Sequence, residues 1–131
     1  MKITPIPAIN PILYVGLKPK DQYNFRFHYF NQITELQDKI LNYICDFYKK
    51  NKTDVIGLDR KRDLVIPRQV FCYFAKYFTR LSLKQIGYIL SGRDHSTVIY
   101  SISTVNDLMD INPTFAEEIN KIKSQLINLL A

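Results

Sequence analysis

Apolar positions set most of this chain's outline. From Ile33 onward they recur at helical spacing: Leu36, Ile40, Leu41, Ile44, Phe47 and Tyr48 fall on one face of a helix ending near Lys50-Asn51. Thr53 is placed to cap a short turn running to Leu58, and Asp59 to Asp63 reads as a charged loop. Pro67 then stands as the first residue of a helix reaching Thr79, since a first-turn N–H has no intrahelical partner to lose. That helix points Val70, Phe71, Phe74 and Phe78 inward. Ser82 suits the N-cap of a helix over Leu83–Leu90, in which Leu83, Ile86 and Leu90 are apolar. Gly87 inside it costs about 1 kcal/mol against Ala, a loss that makes sense where a missing side chain lets two helices cross closely. After Gly92, the residues Val98, Ile102, Val105 and Met109 form the next buried stripe, leaving Ser96, Tyr100, Ser103 and Thr104 outward. Pro113 and Thr114 open a last helix with the stripe Phe115, Ile119, Ile122, Leu126, Leu129 and Leu130.

The N-terminal part has another character. Residues 1–20 hold four of the six prolines and little helical periodicity. Tyr23, Phe25, Phe27 and Tyr29 alternate with Asn24, Arg26 and His28, a strand period with no second strand to pair with. Aromatic–basic alternation can serve single-stranded nucleic acid. With no second such element, an extended arm packed on the helical body is the better reading, and His28 is structural or exposed. The expected fold class is therefore all-α: residues 1–30 an extended arm, and residues 31–131 a compact domain of about five or six helices containing a helix-turn-helix.

Composition narrows the class. A chain of 131 residues is long enough for a real core, and nine Tyr and eight Phe against four Gly argue against disorder. Cys45 and Cys72 lack metal-ligand spacing and sit among apolar helical neighbours, as reduced core residues of a cytoplasmic protein would. No segment has the length of a membrane span, and prolines stand where a signal peptide would need an apolar run. Charge is unevenly spread. Residues 1–48 carry a balance of +1, residues 49–93 a balance of +8, and residues 94–131 a balance of −3. A basic block running up to a helix-turn-helix fits a phosphate footprint better than a merely solvated face.

The candidate chemistry lies in Ser91-Gly92-Arg93-Asp94-His95-Ser96-Thr97-Val98, where a glycine turn leads into polar residues at a helix start. Side chains bunched in the first turn of a second helix are well placed to meet base edges. Hydrolysis is a poor reading of Asp94-His95-Ser96, because adjacent helical residues diverge and no second carboxylate or histidine cluster would bind a metal or orient a base. No enzyme activity and no cofactor are expected.

Two motifs, Pro67-Arg68-Gln69 after a basic loop and Gly92-Arg93-Asp94-His95-Ser96-Thr97-Val98, resemble the C-terminal DNA-binding domain of the bacterial replication initiator DnaA. The intervening Leu81-Ser82-Leu83-Lys84-Gln85-Ile86-Gly87 matches as well, and the likeness runs from about Ile33 to Leu126. The resemblance implies a Trp-repressor-like helix-turn-helix that reads DnaA-box-like sites on double-stranded DNA, in initiation or regulation of replication or in transcription. It places Asp94, His95 and Ser96 on bases in the major groove and Arg60 in the adjacent minor groove. Thr97, Arg68, Gln69, Lys84, Arg93, Lys61 and Arg62 take phosphate or supporting positions, with Arg68 and Gln69 at a helix N-terminus. For Arg93, phosphate contact and pairing with Asp63 are equal alternatives. Asp94 is also a natural N-cap, and Tyr100 is as well suited to packing as to reaching DNA.

Departures from the family are visible. Ser96 replaces a more usual Thr, and Ser103 and Thr104 stand where many members carry basic residues, which weakens backbone anchoring or shifts it toward Lys49–Lys52 and Arg60–Arg62. The chain holds no G-x-x-x-x-G-K-[ST], so binding without ATP hydrolysis is expected, and the leading reading is a monomeric module. The competing reading is an adaptor that binds other replication proteins through its aromatic arm, with DNA binding secondary.

Overall fold

The computed structural model describes residues 35–131. The N-terminal arm, the alternating segment Tyr23–Tyr29, His28 and the start of the first helix at Ile33 lie outside the described residues. Six helices follow in order: α1 over residues 35–48, α2 Lys52–Ile56, α3 Arg62–Phe78, α4 Leu83–Ile89, α5 His95–Ile111 and α6 Pro113–Leu130. No strand occurs among the described residues, so the all-α expectation holds.

Helix α3 is the hub. Its Val70, Phe71, Phe74 and Ala75 are fully buried, and Phe74 stacks on Phe78 with ring centroids 5.8 Å apart. Burying such side chains is worth roughly 1.5–3 kcal/mol each, the main source of stability for helices this short. The same buried core takes in Ile40, Leu41 and Ile44 of α1, Ile86 of α4, Val98 and Val105 of α5, and Ile119, Ile122 and Leu126 of α6, with α5 lying between α3 and α6. Cys45 and Cys72 are free thiols in this core. Tyr48 donates to Glu118 Oε2 at 2.9 Å and ties α1 to α6. Leu129 leaves the predicted stripe: it is 47% exposed, while Leu130 turns in.

Three sequence expectations around the basic block need correction. Asn51 occupies the N-cap of α2, not Thr53. The loop between α2 and α3 is residues 57–61, because Arg62 and Asp63 already form the first turn of α3. Pro67 lies inside α3, not at its start. An interior proline forgoes one backbone hydrogen bond. The extra turn holds because Leu64 is buried, Ile66 is half-buried, and Asp63 sits where the helix dipole favours a carboxylate.

The turn between α4 and α5 follows the sequence closely. Ser82 and Gln85 form a reciprocal capping box: Gln85 N–H donates to Ser82 Oγ at 3.1 Å, and Ser82 N–H to Gln85 Oε1 at 2.8 Å. Ser91 and Gly92 both adopt left-handed backbone, at φ 64° and 75°. Gly92 does so without the steric cost that a Cβ adds there. Ser91 is anchored by its hydroxyl, which donates to the Ile56 carbonyl. Gly87 has the predicted use, with a more specific partner. A Cβ there would lie 2.1 Å from the Arg93 carbonyl oxygen, so the turn itself sits against the bare glycine. The Arg93 N–H also donates to the Gly87 carbonyl at 2.9 Å. At the far end of α5, Asn112 Oδ1 accepts from Phe115 N–H at 3.1 Å, with Pro113 as the first residue of α6.

Candidate nucleic-acid interface

The capping box of α4 and the glycine turn together aim the first turn of α5 outward. Asp94, His95, Ser96 and Thr97 are all exposed, while Val98, only three residues beyond His95, is 1% exposed. One turn further, Ser101 is buried and donates to the Thr97 carbonyl at 2.9 Å, whereas Tyr100 is 66% exposed. Ser103 faces solvent as expected, and Thr104 is half-buried with its hydroxyl on the Tyr100 carbonyl at 2.8 Å.

Asp94 occupies the N-cap of α5, yet its side chain makes no cap bond. Its carboxylate instead lies 2.9 Å from His95 Nδ1 through Oδ1 and accepts from Ser96 Oγ at 2.8 Å through Oδ2. The hydroxyl of Ser96 and the adjacent imidazole hold the Asp94 carboxyl below the ordinary carboxylate range.

Beside this turn runs a groove of about 630 Å³, bounded by the α2–α3 loop, α3 and α5. Arg60, Arg68 and Arg93 bring three guanidinium groups to it, and Leu58, Val65 and Tyr100 give it apolar walls. Leu58 and Val65 are site-lining residues that the periodicity did not single out. The one signal for Leu58 was an apolar residue beside a charged loop. Cys72 also lines the groove, and burial pushes its thiol up to about 12, so it serves as packing and not as a reactive group.

The three arginines differ. Arg60 is exposed. Arg93 is half-buried and donates through Nη1 to the Leu90 carbonyl at 2.8 Å, so it braces the C-terminus of α4. The proposed pairing of Arg93 with Asp63 is not formed. Asp63 belongs to Lys50 at 2.9 Å, and that contact holds its carboxyl low. Arg68 is 7% exposed, with Nε on the Val55 carbonyl at 2.6 Å and Nη2 on the Asp54 carbonyl at 2.8 Å. Burial first, and then the nearby Arg93 charge, lower its pKa from the ordinary arginine value. Gln69 is 8% exposed. Neither residue stands at a helix N-terminus, because α3 begins six residues before Arg68.

The remaining basic residues are at the surface. Lys61 is the N-cap of α3 and lies 3.8 Å from Asp59, while Arg62 and Lys84 open α3 and α4 and are exposed. Lys50 and Lys52 are engaged with Asp63 and Asp38. Of the two stretches expected to anchor a phosphate backbone, Arg60–Arg62 is thus the more accessible. No group of His, Cys, Asp and Glu able to hold a metal occurs among the described residues, and none of their helices is long and apolar enough to cross a membrane.

A capped short helix, a left-handed turn and an outward polar helix start form a helix-turn-helix beside an arginine-lined groove. The family model described as "Bacterial dnaA protein helix-turn-helix" matches residues 37–105, from α1 into α5. The chain belongs to this family. Chromosomal replication initiator protein DnaA of Wolbachia sp. subsp. Brugia malayi (strain TRS) is 41% identical over 91 residues, which is 70% of this chain and 19% of that protein. The DnaA of Jannaschia sp. (strain CCS1) is 35% identical over 68% of this chain. The match to the DnaA of Synechococcus sp. (strain JA-2-3B'a(2-13)) is 30% identical over 121 residues, 92% of this chain and 23% of that protein. The chain spans about a fifth of the length of these relatives. Within the DnaA helix-turn-helix family, α6 lies beyond the matched residues and closes the core with Ile119, Ile122 and Leu126.

Proposed function

We propose that this chain is a sequence-specific double-stranded DNA-binding module that recognises DnaA-box-like sites in initiation or regulation of replication, with no nucleotide hydrolysis in the binding step. The observation that carries this reading is the first turn of α5: Asp94, His95, Ser96 and Thr97 project from a turn pinned by Gly87 and Gly92, beside accessible cations. Such a turn fits the major groove, where base edges present donors and acceptors that these side chains complement.

Roles follow from exposure. Asp94, His95 and Ser96 read bases, and Thr97 touches phosphate or a thymine methyl. Arg60 enters the neighbouring minor groove, where a narrow A·T tract concentrates negative potential. Lys61, Arg62 and Lys84 hold phosphates. Arg68, Gln69 and Arg93 act from below, by fixing the α2–α3 loop and the turn that carry the contact residues. A fluorescence titration of the full chain against a labelled DnaA-box duplex and a scrambled duplex, at physiological salt, tests the reading. Tighter binding of the box by tenfold or more is expected; equal affinity overturns it.

A further inference from the structure

Ser91 is the one residue of the α4–α5 turn that carries a side chain on left-handed backbone: its φ is 64°, beside Gly92 at 75°. That conformation crowds a Cβ, and glycine avoids the crowding. A residue with a Cβ persists there where other contacts over-determine it. Here the contact is long-range. The Ser91 hydroxyl donates to the carbonyl of Ile56, 35 residues away at the end of α2. The two preceding carbonyls, of Asp54 and Val55, accept from Arg68 at 2.8 and 2.6 Å. Three consecutive carbonyls thus tie the end of α2 to α3 on one side and to the turn on the other. Among the described residues, the Ser91 bond is the only hydrogen bond between that turn and α2 or its loop.

The tie joins the two segments assigned to different DNA grooves. Directly after Ile56 come residues 57–61 with Arg60, and directly after Ser91 come Gly92, Arg93 and the first turn of α5. Leu58 and Arg60 line the same groove of about 630 Å³ as Asp94 and Thr97. Like charge opposes that closeness: burial is the main cause that lowers the Arg93 pKa, and the charge of Arg60 lowers it further. Resting on the DNA-reading function above, we propose that Ser91 is a positioning residue, which clips the Arg60 loop to the start of α5 and sets the distance between the minor-groove and major-groove contacts without touching DNA itself. A duplex fixes the spacing of adjacent grooves, so a loop already held at that spacing loses less freedom on binding. The bond is exposed, and water replaces it at little cost to folding. Its effect therefore falls on the loop and on affinity, not on overall stability.

Backbone ¹⁵N relaxation of the full chain tests the clip without DNA. Order parameters of residues 57–61 are expected near about 0.8 in the natural chain and below about 0.6 in Ser91→Gly, with those of α5 unchanged. Ser91→Gly keeps the left-handed backbone and removes the hydroxymethyl group, so the turn still folds. Ser91→Ala, which removes the hydroxyl and keeps the Cβ, should loosen the loop equally. A loop as ordered in either variant as in the natural chain overturns the proposal. A second arm titrates a DnaA-box duplex. Ser91→Gly should bind about fivefold more weakly than the natural chain. On an Arg60→Ala background the same change should alter affinity by less than about twofold, because the clip acts through Arg60. A fivefold loss on both backgrounds makes Ser91 a DNA contact in its own right and overturns the proposal, as does no loss on either. Equal affinity of the natural chain for the box and a scrambled duplex overturns the underlying DNA-reading function and the spacing role together. The relaxation data still report the clip on their own, so the two failures are told apart.

Discussion

Arg68 in α3 and the Asp94–Thr97 turn of α5 are both polar clusters in motifs of the same family, and they end in opposite environments. Arg68 is 7% exposed and commits Nε and Nη2 to the carbonyls of Val55 and Asp54. Asp94, His95 and Ser96 are exposed; Ser96 Oγ donates to the Asp94 carboxylate, and His95 Nδ1 lies 2.9 Å from it. The difference lies in what the rest of the fold demands. Helix α2 has only five residues, and its C-terminal carbonyls need a donor from elsewhere. Arg68 supplies it, and the Ser91 hydroxyl adds another on Ile56. The α5 turn has no such duty, because the Gly87 contact and the buried Val98 already fix it. A charged side chain that looks like a ligand contact is first a candidate for satisfying buried backbone.

The sharpest test of this contrast is Arg68→Ala. Leaving the Val55 carbonyl without its side-chain donor, the Asp54 carbonyl with only the Gly57 N–H, and removing the packed stem should cost about 3 kcal/mol in urea unfolding. His95→Ala should move the same midpoint by no more than about 0.5 kcal/mol. An unchanged midpoint for Arg68→Ala, with weaker binding to all duplexes, would make Arg68 a contact residue after all.

Gly87→Ala probes the α5 side of the comparison. The gain in helix propensity of roughly 1 kcal/mol is outweighed by overpacking against the Arg93 carbonyl, for a net loss of about 2 kcal/mol. DNA affinity should fall with it, because relief of the clash displaces the start of α5. A stabilised variant would show that the turn does not depend on the bare glycine.

At the interface itself, Lys61→Ala should weaken every duplex alike and reduce the slope of log affinity against log salt by about 1. His95→Ala should instead lose about 1–3 kcal/mol of discrimination at a single base pair with the salt slope unchanged. Identical behaviour in the two variants would erase the division between phosphate and base contacts.

The smallest expected effect is on acid stability. Asp63 and Asp94 titrate below the ordinary carboxylate value in the folded chain, Asp63 chiefly through Lys50 and Asp94 chiefly through Ser96. Their stabilisation is present above the unfolded value of about 3.9 and is lost as pH falls through the depressed folded value. Both are exposed, so salt should shrink the effect. Lys50→Ala should lower stability near neutral pH and flatten its fall between about pH 5 and pH 3. A fall as steep as in the natural chain would assign the acid sensitivity elsewhere.

Sequence reading carried far where the cause is local. The helical stripes, the Ser82 cap, the use of Gly87, Pro113 at the start of α6 and the outward Asp94, His95 and Ser96 all follow from period, capping chemistry and turn stereochemistry. The start of α3 escaped it. A proline at a first turn is the commoner pattern, and the burial of Leu64 and Ile66 together with Asp63 at the helix start outweighs the hydrogen bond lost at Pro67. Arg68, the pairing of Asp63 with Lys50 and the apolar walls at Leu58 and Val65 escaped it for another reason. These contacts join residues 10 or more apart through loops whose path no local pattern encodes.

By itself, the sequence determined an all-helical chain with a helix-turn-helix of the DnaA family, a basic block before it and the identity of the residues at the head of α5. Helix period, capping and glycine turns are properties of neighbouring residues, so the order of amino acids is enough to specify them. Only the tertiary structure decided which cations stay available to a ligand and which are held by distant carbonyls and carboxylates, as Arg68 and Lys50 are. Those outcomes depend on which carbonyls and side chains the folded backbone brings within hydrogen-bond reach.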